Sequence, residues 1–193
     1  MAANALRCFV GLPLPQAHRQ ALDRAASQLA GALGSRIGFT RPENWHLTLR
    51  FLGDVAPEAL PGLKLALAGV PLEPFELALG PAGCFPPLPR QGRGRPPQTL
   101  WAGLSLGAQA CITLAADINR ALGAAGFAPE DRPLRPHVTL GRVRAPHPED
   151  DWRAALAALD LSGPGPARVD RFVLWQSVLG PGGPRYETLA VFP

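Results

Sequence analysis

A mixed fold, α+β or α/β, built as two similar lobes is predicted for this 193-residue chain by three observations. Strand-like and helix-like stretches alternate along its whole length. One short motif recurs half a chain apart: W-H-L-T-L-R at Trp45 to Arg50 returns as P-H-V-T-L-G at Pro136 to Gly141, each copy after a helix-bearing segment. The composition, 47% hydrophobic against 18% charged, excludes a disordered or collagen-like chain. A chain of this length buries about 70% of its unfolded surface without a disulfide or metal.

The elements follow in order. Residues 6–12 (LRCFVGL) are a short apolar run closed by Pro13 and Pro15, as a buried strand is. Over residues 15–33 apolar side chains recur at helical spacing, Ala21, Leu22, Ala25, Leu29 and Leu33, and Gly34 supplies a stop. Residues 45–52 alternate as a strand does, 57–68 are helical, and 75–79 and 100–104 are further strands. Between those last two, residues 86–97 (PPLPRQGRGRPP) cannot pack a core and are expected as an exposed, mobile loop rather than an RNA-phosphate clamp. Residues 108–125 form an alanine-rich helix closed by Gly126, 137–143 a strand, 149–159 a helix, and 169–178 and 186–192 two closing strands around GPGGP. Residues 1–193 are expected to form a single two-lobed domain.

Cys8, Cys84 and Cys111 are odd in number and widely spaced, against both a disulfide framework and a cysteine-rich zinc site. The first 16 residues carry no basic run before their apolar stretch, which Arg7 interrupts, so they predict a strand rather than a signal peptide. No segment approaches the roughly 18 apolar residues of a membrane span. A reduced, cytoplasmic protein without a membrane partner is expected. Net charge is +4, which permits a polyanionic partner without requiring one. Of the 19 basic residues all but Lys64 are arginine, and with 21 Gly and 23 Pro this reflects a GC-rich coding bias before any selection for RNA. Arginine is nevertheless the better bidentate phosphate ligand.

The motif H-x-T-L carries the chemistry. With 6 Thr and 30 Leu in the chain, two of four histidines meeting it by chance is roughly a 1 in 10⁴ event. On a strand, residues i and i+2 share a face, so His46 and Thr48 point one way and Trp45, Leu47 and Leu49 the other. His137 and Thr139 repeat the arrangement against Val138 and Leu140. Each motif thus mounts a polar pair on a strand whose other face is core. Two histidines suit displacement at phosphorus, in which one group takes a proton from the nucleophile and another gives one to the leaving oxygen. The threonine hydroxyls can donate to non-bridging oxygens, and an arginine can neutralise the charge that grows there. His18 and His147, neither followed by this pattern, are expected to be structural.

The pair HLTL and HVTL, with RCFVGLPLP at the start, WHLTLRFLG, RPHVTLGR, and SVLGPGGPRYETL near the end, resembles the 2H phosphoesterase superfamily. Within it the similarity is to the bacterial RNA 2′,3′-cyclic phosphodiesterases, the 2′-5′ RNA ligase family, nearly end to end. The resemblance implies an α+β fold of two pseudo-symmetric lobes of antiparallel sheet with outer helices, the motif strands facing each other across an active-site cleft. It implies His46 as proton donor to the departing 3′ oxygen, His137 as proton acceptor from water, a 2′-phosphate product and no cofactor. The implied partner is RNA with a 2′,3′-cyclic phosphate end, met by a monomer without a metal, with reversible 2′-5′ ligation as a further capacity.

The same resemblance places an arginine five residues after the second histidine, here Arg142. On an ideal strand Arg142 shares the face of Val138 and Leu140, unless a bulge at Gly141 or the strand's end re-aims it. Arg50 shares the face of His46 and Thr48 without such a device and is the second phosphate-ligand candidate. Phe9, Phe51, Phe85, Trp101 and Trp175 are candidate platforms for a base or ribose, against the commoner role of aromatic residues as core.

Two other classes remain. One is an RNA-end-binding protein without chemistry, which would not need two titratable groups. The other is a metal-dependent hydrolase, for which no H-x-H, H-E-x-x-H or acidic cluster beside either histidine is present. A P-loop enzyme is excluded because GxxxxGK[ST] does not occur.

Overall fold

The two motif-bearing strands lie side by side at the centre of one antiparallel sheet. The computed structural model describes residues 5–89, 94–130, 132–181 and 183–193. In chain order the elements are β1 (Leu6–Pro13), α1 (Gln16–Ala32), β2 (Arg36–Phe39), β3 (His46–Val55), α2 (Leu60–Ala68), β4 (Phe75–Phe85), β5 (Thr99–Leu106), α3 (Ala108–Ala124), β6 (Val138–Ala145), α4 (Trp152–Ala157), β7 (Ala167–Val169), β8 (Phe172–Gly180) and β9 (Gly183–Phe192). The strand order is β7-β4-β5-β6-β3-β1-β8-β9, with β2 added to β6.

The two spatial halves are not the two halves of the chain. β2, from the N-terminal half, pairs with β6, and β8 and β9, from the C-terminal end, extend the sheet beyond β1. One continuous core joins them, with Leu22 and Leu29 of α1 and Cys111, Ile118 and Leu122 of α3 packed in the same cluster as Leu12, Leu47, Leu100, Leu140 and Leu174 of the sheet. Burying such side chains contributes about 1.5–3 kcal/mol each. His18 sits on the buried face of α1 with Ala21, Leu22 and Leu29, a structural position.

Several boundaries differ from the sequence expectation for local reasons. The helix expected over 57–68 opens with a 3-10 turn, Pro57–Ala59, before α2 begins. The helix expected over 149–159 contracts to α4 because Asp151 caps it, its carboxylate accepting from the Ala154 amide at 2.9 Å. The strand expected over 169–178 splits at Asp170 and Arg171 into β7 and β8. β4 runs on past Leu79 to Phe85, accommodating Gly80 and Pro81 in a register shift against β5. β2, four residues long, was not foreseen. Gly126 has φ of +85°, and beside it the Phe127 amide closes α3 onto Leu122 O. Gly34 plays another part, its amide donating to Asp150 Oδ1 at 2.7 Å. Of the expected loop 86–97, residues 86–89 and 94–97 carry no helix or strand, and residues 90–93 lie outside the described residues.

Candidate active site

β3 and β6 meet at the pair Leu47↔Val138, both fully buried. Extending that antiparallel register by one residue sets Thr48 across from His137 and His46 across from Thr139. The two motifs are therefore related by an approximate two-fold axis through one core-facing pair, and their polar faces form one surface. The expectation of strands facing each other across a cleft becomes strands adjacent in one sheet.

Each motif strand then bulges at the same place. On β3, Thr48 pairs with Gly11 but Arg50 with Val10, leaving Leu49 as the extra residue. On β6, Thr139 pairs with Trp101 but Gly141 with Leu100, leaving Leu140 as the extra residue. An extra residue reverses the alternation beyond it, so the fifth residue after each histidine, not the fourth, returns to the histidine's face. Those residues are Phe51 and Arg142.

The bulges place the two arginine candidates on opposite faces of the sheet. Arg142 leaves the side of Val138 and Leu140, donates to Thr99 Oγ1 at 3.2 Å and acts electrostatically on His137. Arg50 does not share the face of His46 and Thr48, a correction to the ideal-strand reading. It is 7% exposed, its guanidinium donates to Ala128 O and lies 3.7 Å from Glu130. Arg50 ties the segment after α3 to the sheet.

The histidines have matching supports. His46 Nδ1 lies 2.7 Å from Asn44 O, and His137 Nδ1 lies 2.6 Å from Arg135 O. A carbonyl can only accept, so each Nδ1 carries the proton and each Nε2 is left as the working atom. At His46 the Thr48 hydroxyl is 3.0 Å from Nε2 and donates to it. Burial pushes both imidazoles below the ordinary value, the carbonyl contacts oppose this, and a further downward push comes from His137 on His46 and from Arg142 on His137. Both rings are thus neutral in the free protein near pH 7.

Aromatic rings frame both histidines. Phe9, Tyr186 and Trp175 lie 4.8, 5.1 and 5.7 Å from the His46 ring, centroid to centroid. Phe85 and Trp101 lie 5.3 and 6.2 Å from that of His137. Phe51 joins the first group through Phe9 at 6.2 Å and is 59% exposed. Glycine admits Trp101, since a Cβ on Gly83 would sit 2.3 Å from its ring, while a Cβ on Gly11 would meet Leu47 O at 2.4 Å before the Trp175 ring at 3.2 Å. Tyr186 was missed by sequence reasoning. Burial raises its phenol, while Arg142 and Arg7 pull it down, so it stands within the field of both arginines. Only its status as the single tyrosine marked it, because it reaches His46 from β9, two strands beyond β1.

His147 lies apart from this surface, its Nδ1 accepting from the Glu149 amide at 3.3 Å and its backbone amide donating to Ser35 Oγ at 2.7 Å. Among the described residues no three His, Cys, Asp or Glu side chains cluster as metal ligands do. No helix among them is long and apolar enough to cross a membrane.

The family model described as LigT like Phosphoesterase matches residues 12–94 and 106–186. An Archaeoglobus fulgidus protein named RNA 2′,3′-cyclic phosphodiesterase is 30% identical, the match covering 97% of this chain and 99% of that one. A Geobacillus stearothermophilus protein of the same name is 32% identical over 96% of this chain, which spans 56% of that relative's length. The crystal structure of the Thermus thermophilus protein TT0787 superposes with a TM-score of 0.77 at 30% identity, covering 97% of each chain.

Proposed function

This chain belongs to the LigT-like phosphoesterase family, and on that premise we propose that it hydrolyses the 2′,3′-cyclic phosphate at the end of an RNA by metal-independent acid/base catalysis between His46 and His137. The observation that carries this reading is the matched pair of imidazoles, each with Nδ1 held by a carbonyl two residues earlier, on adjacent strands.

Water attacks phosphorus as His137 Nε2 takes its proton, the bond from phosphorus to O3′ breaks, and His46 Nε2–H delivers a proton to O3′. The products are a 2′-phosphate and a 3′-hydroxyl, with the proton returning from His137 to His46 through solvent. The Arg142 cation supports the assignment of His137 as base, because it disfavours the imidazolium there. At His46 the corresponding downward push comes from His137 itself, and the incoming phosphate favours its charged form. Thr48, Thr139 and Arg142 hold the non-bridging oxygens, where donors aimed at developing charge are most effective. With the 5′-hydroxyl of a second RNA in place of water, the same steps form a bond from that oxygen to phosphorus, break the bond to O3′ and leave a 2′-5′ phosphodiester beside a 3′-hydroxyl, which is 2′-5′ ligation.

The test is phosphorus NMR of an oligonucleotide ending in a 2′,3′-cyclic phosphate, incubated in EDTA with wild type, His46→Ala and His137→Ala. The expected result is conversion to a 2′-phosphate by wild type alone. Survival of the cyclic phosphate with folded wild type would leave an RNA-end-binding protein, and loss of turnover in EDTA would leave a metal-dependent hydrolase.

A further inference from the structure

Beyond Arg142 the outer face of β6 and β2 carries a row of cations that the proposed chemistry does not use. Ile37, Phe39 and Val143 pack toward the core, so by alternation Arg36, Gly38, Arg142 and Arg144 share the opposite face, and all four are exposed. Gly38 pairs with Arg142, and the register between β2 and β6 shifts at Arg36, leaving Arg144 as the extra residue. The Arg144 side chain folds over Gly38, where a Cβ would stand 3.3 Å from its Nε. A side chain at 38 would crowd that guanidinium. Among the described residues, none of Arg36, Arg142 and Arg144 has a carboxylate within 4 Å, whereas Arg50, Arg120, Arg132, Arg171 and Arg185 all do.

We propose that Arg144 and Arg36 form a phosphate-binding track for the RNA chain on the 5′ side of the cyclic end, making a polynucleotide a better substrate than a cyclic mononucleotide. This rests on the reading of His46 and His137 above. Residues two apart on a strand are separated by about 7 Å, the order of the step between successive phosphates of an extended single strand. With the cyclic phosphate at Arg142, the next phosphate upstream meets Arg144 and the one after it approaches Arg36. The contacts are to phosphate alone, so they add affinity without reading sequence.

The test measures kcat/KM for a 2′,3′-cyclic mononucleotide and for a pentanucleotide with the same cyclic end, across a salt series, with wild type, Arg144→Ala, Arg144→Glu and Arg36→Ala. The wild type is expected to favour the pentanucleotide at low salt and to lose that preference as salt rises. Each alanine variant is expected to lose roughly three- to fivefold on the pentanucleotide, to flatten the log–log salt slope by about 0.7, and to leave the mononucleotide unchanged. Arg144→Glu is expected to lose more than Arg144→Ala. Equal use of both substrates by wild type, or an unaltered pentanucleotide rate in Arg144→Glu, would overturn the track. Should wild type hydrolyse neither substrate, the catalytic reading fails by itself, and anisotropy of the labelled pentanucleotide decides the track separately: weaker binding by Arg144→Glu supports it, and unchanged binding overturns it.

Discussion

The strands β3 and β6 carry the same tetrapeptide pattern, the same carbonyl support two residues before the histidine and the same bulge at its leucine, yet they diverge in the next two residues. β3 continues Arg50-Phe51, and β6 continues Gly141-Arg142. On β6 the fourth position suits glycine, because a Cβ there would crowd Ile37 Cγ2 at 2.9 Å and Gly38 O at 3.1 Å on β2. On β3 that position opens toward Ala128 and Glu130, and Arg50 fills it. At the fifth position, which the bulge returns to the histidine's face, one strand presents an aromatic ring and the other a cation. An approximate two-fold arrangement thereby gains two unlike ends, which is what a reaction with one acid and one base requires.

The largest effects are expected at the histidines. His46→Ala and His137→Ala should each lower turnover of the cyclic phosphate by about 10²–10⁴-fold, and the double variant should lose far less than the product of the two, as steady-state rates would show. Equal residual activity with one histidine absent would mean that a single group serves both steps. Next, Arg142→Ala should lower kcat/KM by about a hundredfold with little change in melting temperature. Arg50→Ala should do the reverse, lowering stability by about 2 kcal/mol in denaturant titration while leaving kcat near wild type. Were the two arginines to behave alike, the bulges would not be what separates them.

Proton affinities distinguish the two ends more finely. Because burial holds both imidazoles below 6.5, both limbs of the kcat/KM profile, which reads the free enzyme, should lie on the acid side of that value. The kcat profile should lie higher, since bound phosphate favours the charged rings. Removing the Arg142 cation raises the affinity of His137 for a proton, so Arg142→Ala should move the acid limb upward and leave the basic limb in place. The smallest effect on catalysis is expected from Gly141→Ala, in which one methyl crowds β2 at a cost of roughly 1–3 kcal/mol in stability, read as a lower melting temperature with turnover near wild type.

Much of this was legible in the chain. Trp45, Leu47 and Leu49 and their counterparts Val138 and Leu140 are buried as strand alternation requires, and the duplicated H-x-T-L announced both histidine pairs, because a local period and a repeated pattern are properties of sequence. Alternation failed just past each leucine. Nothing in Leu49 or Leu140 distinguishes a bulged residue from a paired one, so parity aimed Arg50 at the site and Arg142 away from it. Tyr186 was invisible for a related reason: its place beside His46 depends on β9 following β8 onto the edge of β1, a pairing between opposite ends of the chain.

The sequence by itself determined the order of elements, the core-facing residues of the motif strands and the two histidines with their threonines, since each depends on spacing within a few residues. Only the tertiary structure decided which arginine shares their face, which aromatic rings surround them and that both motifs share one surface. Those outcomes depend on the register of one strand against another, where a single extra residue sends every later side chain to the opposite face.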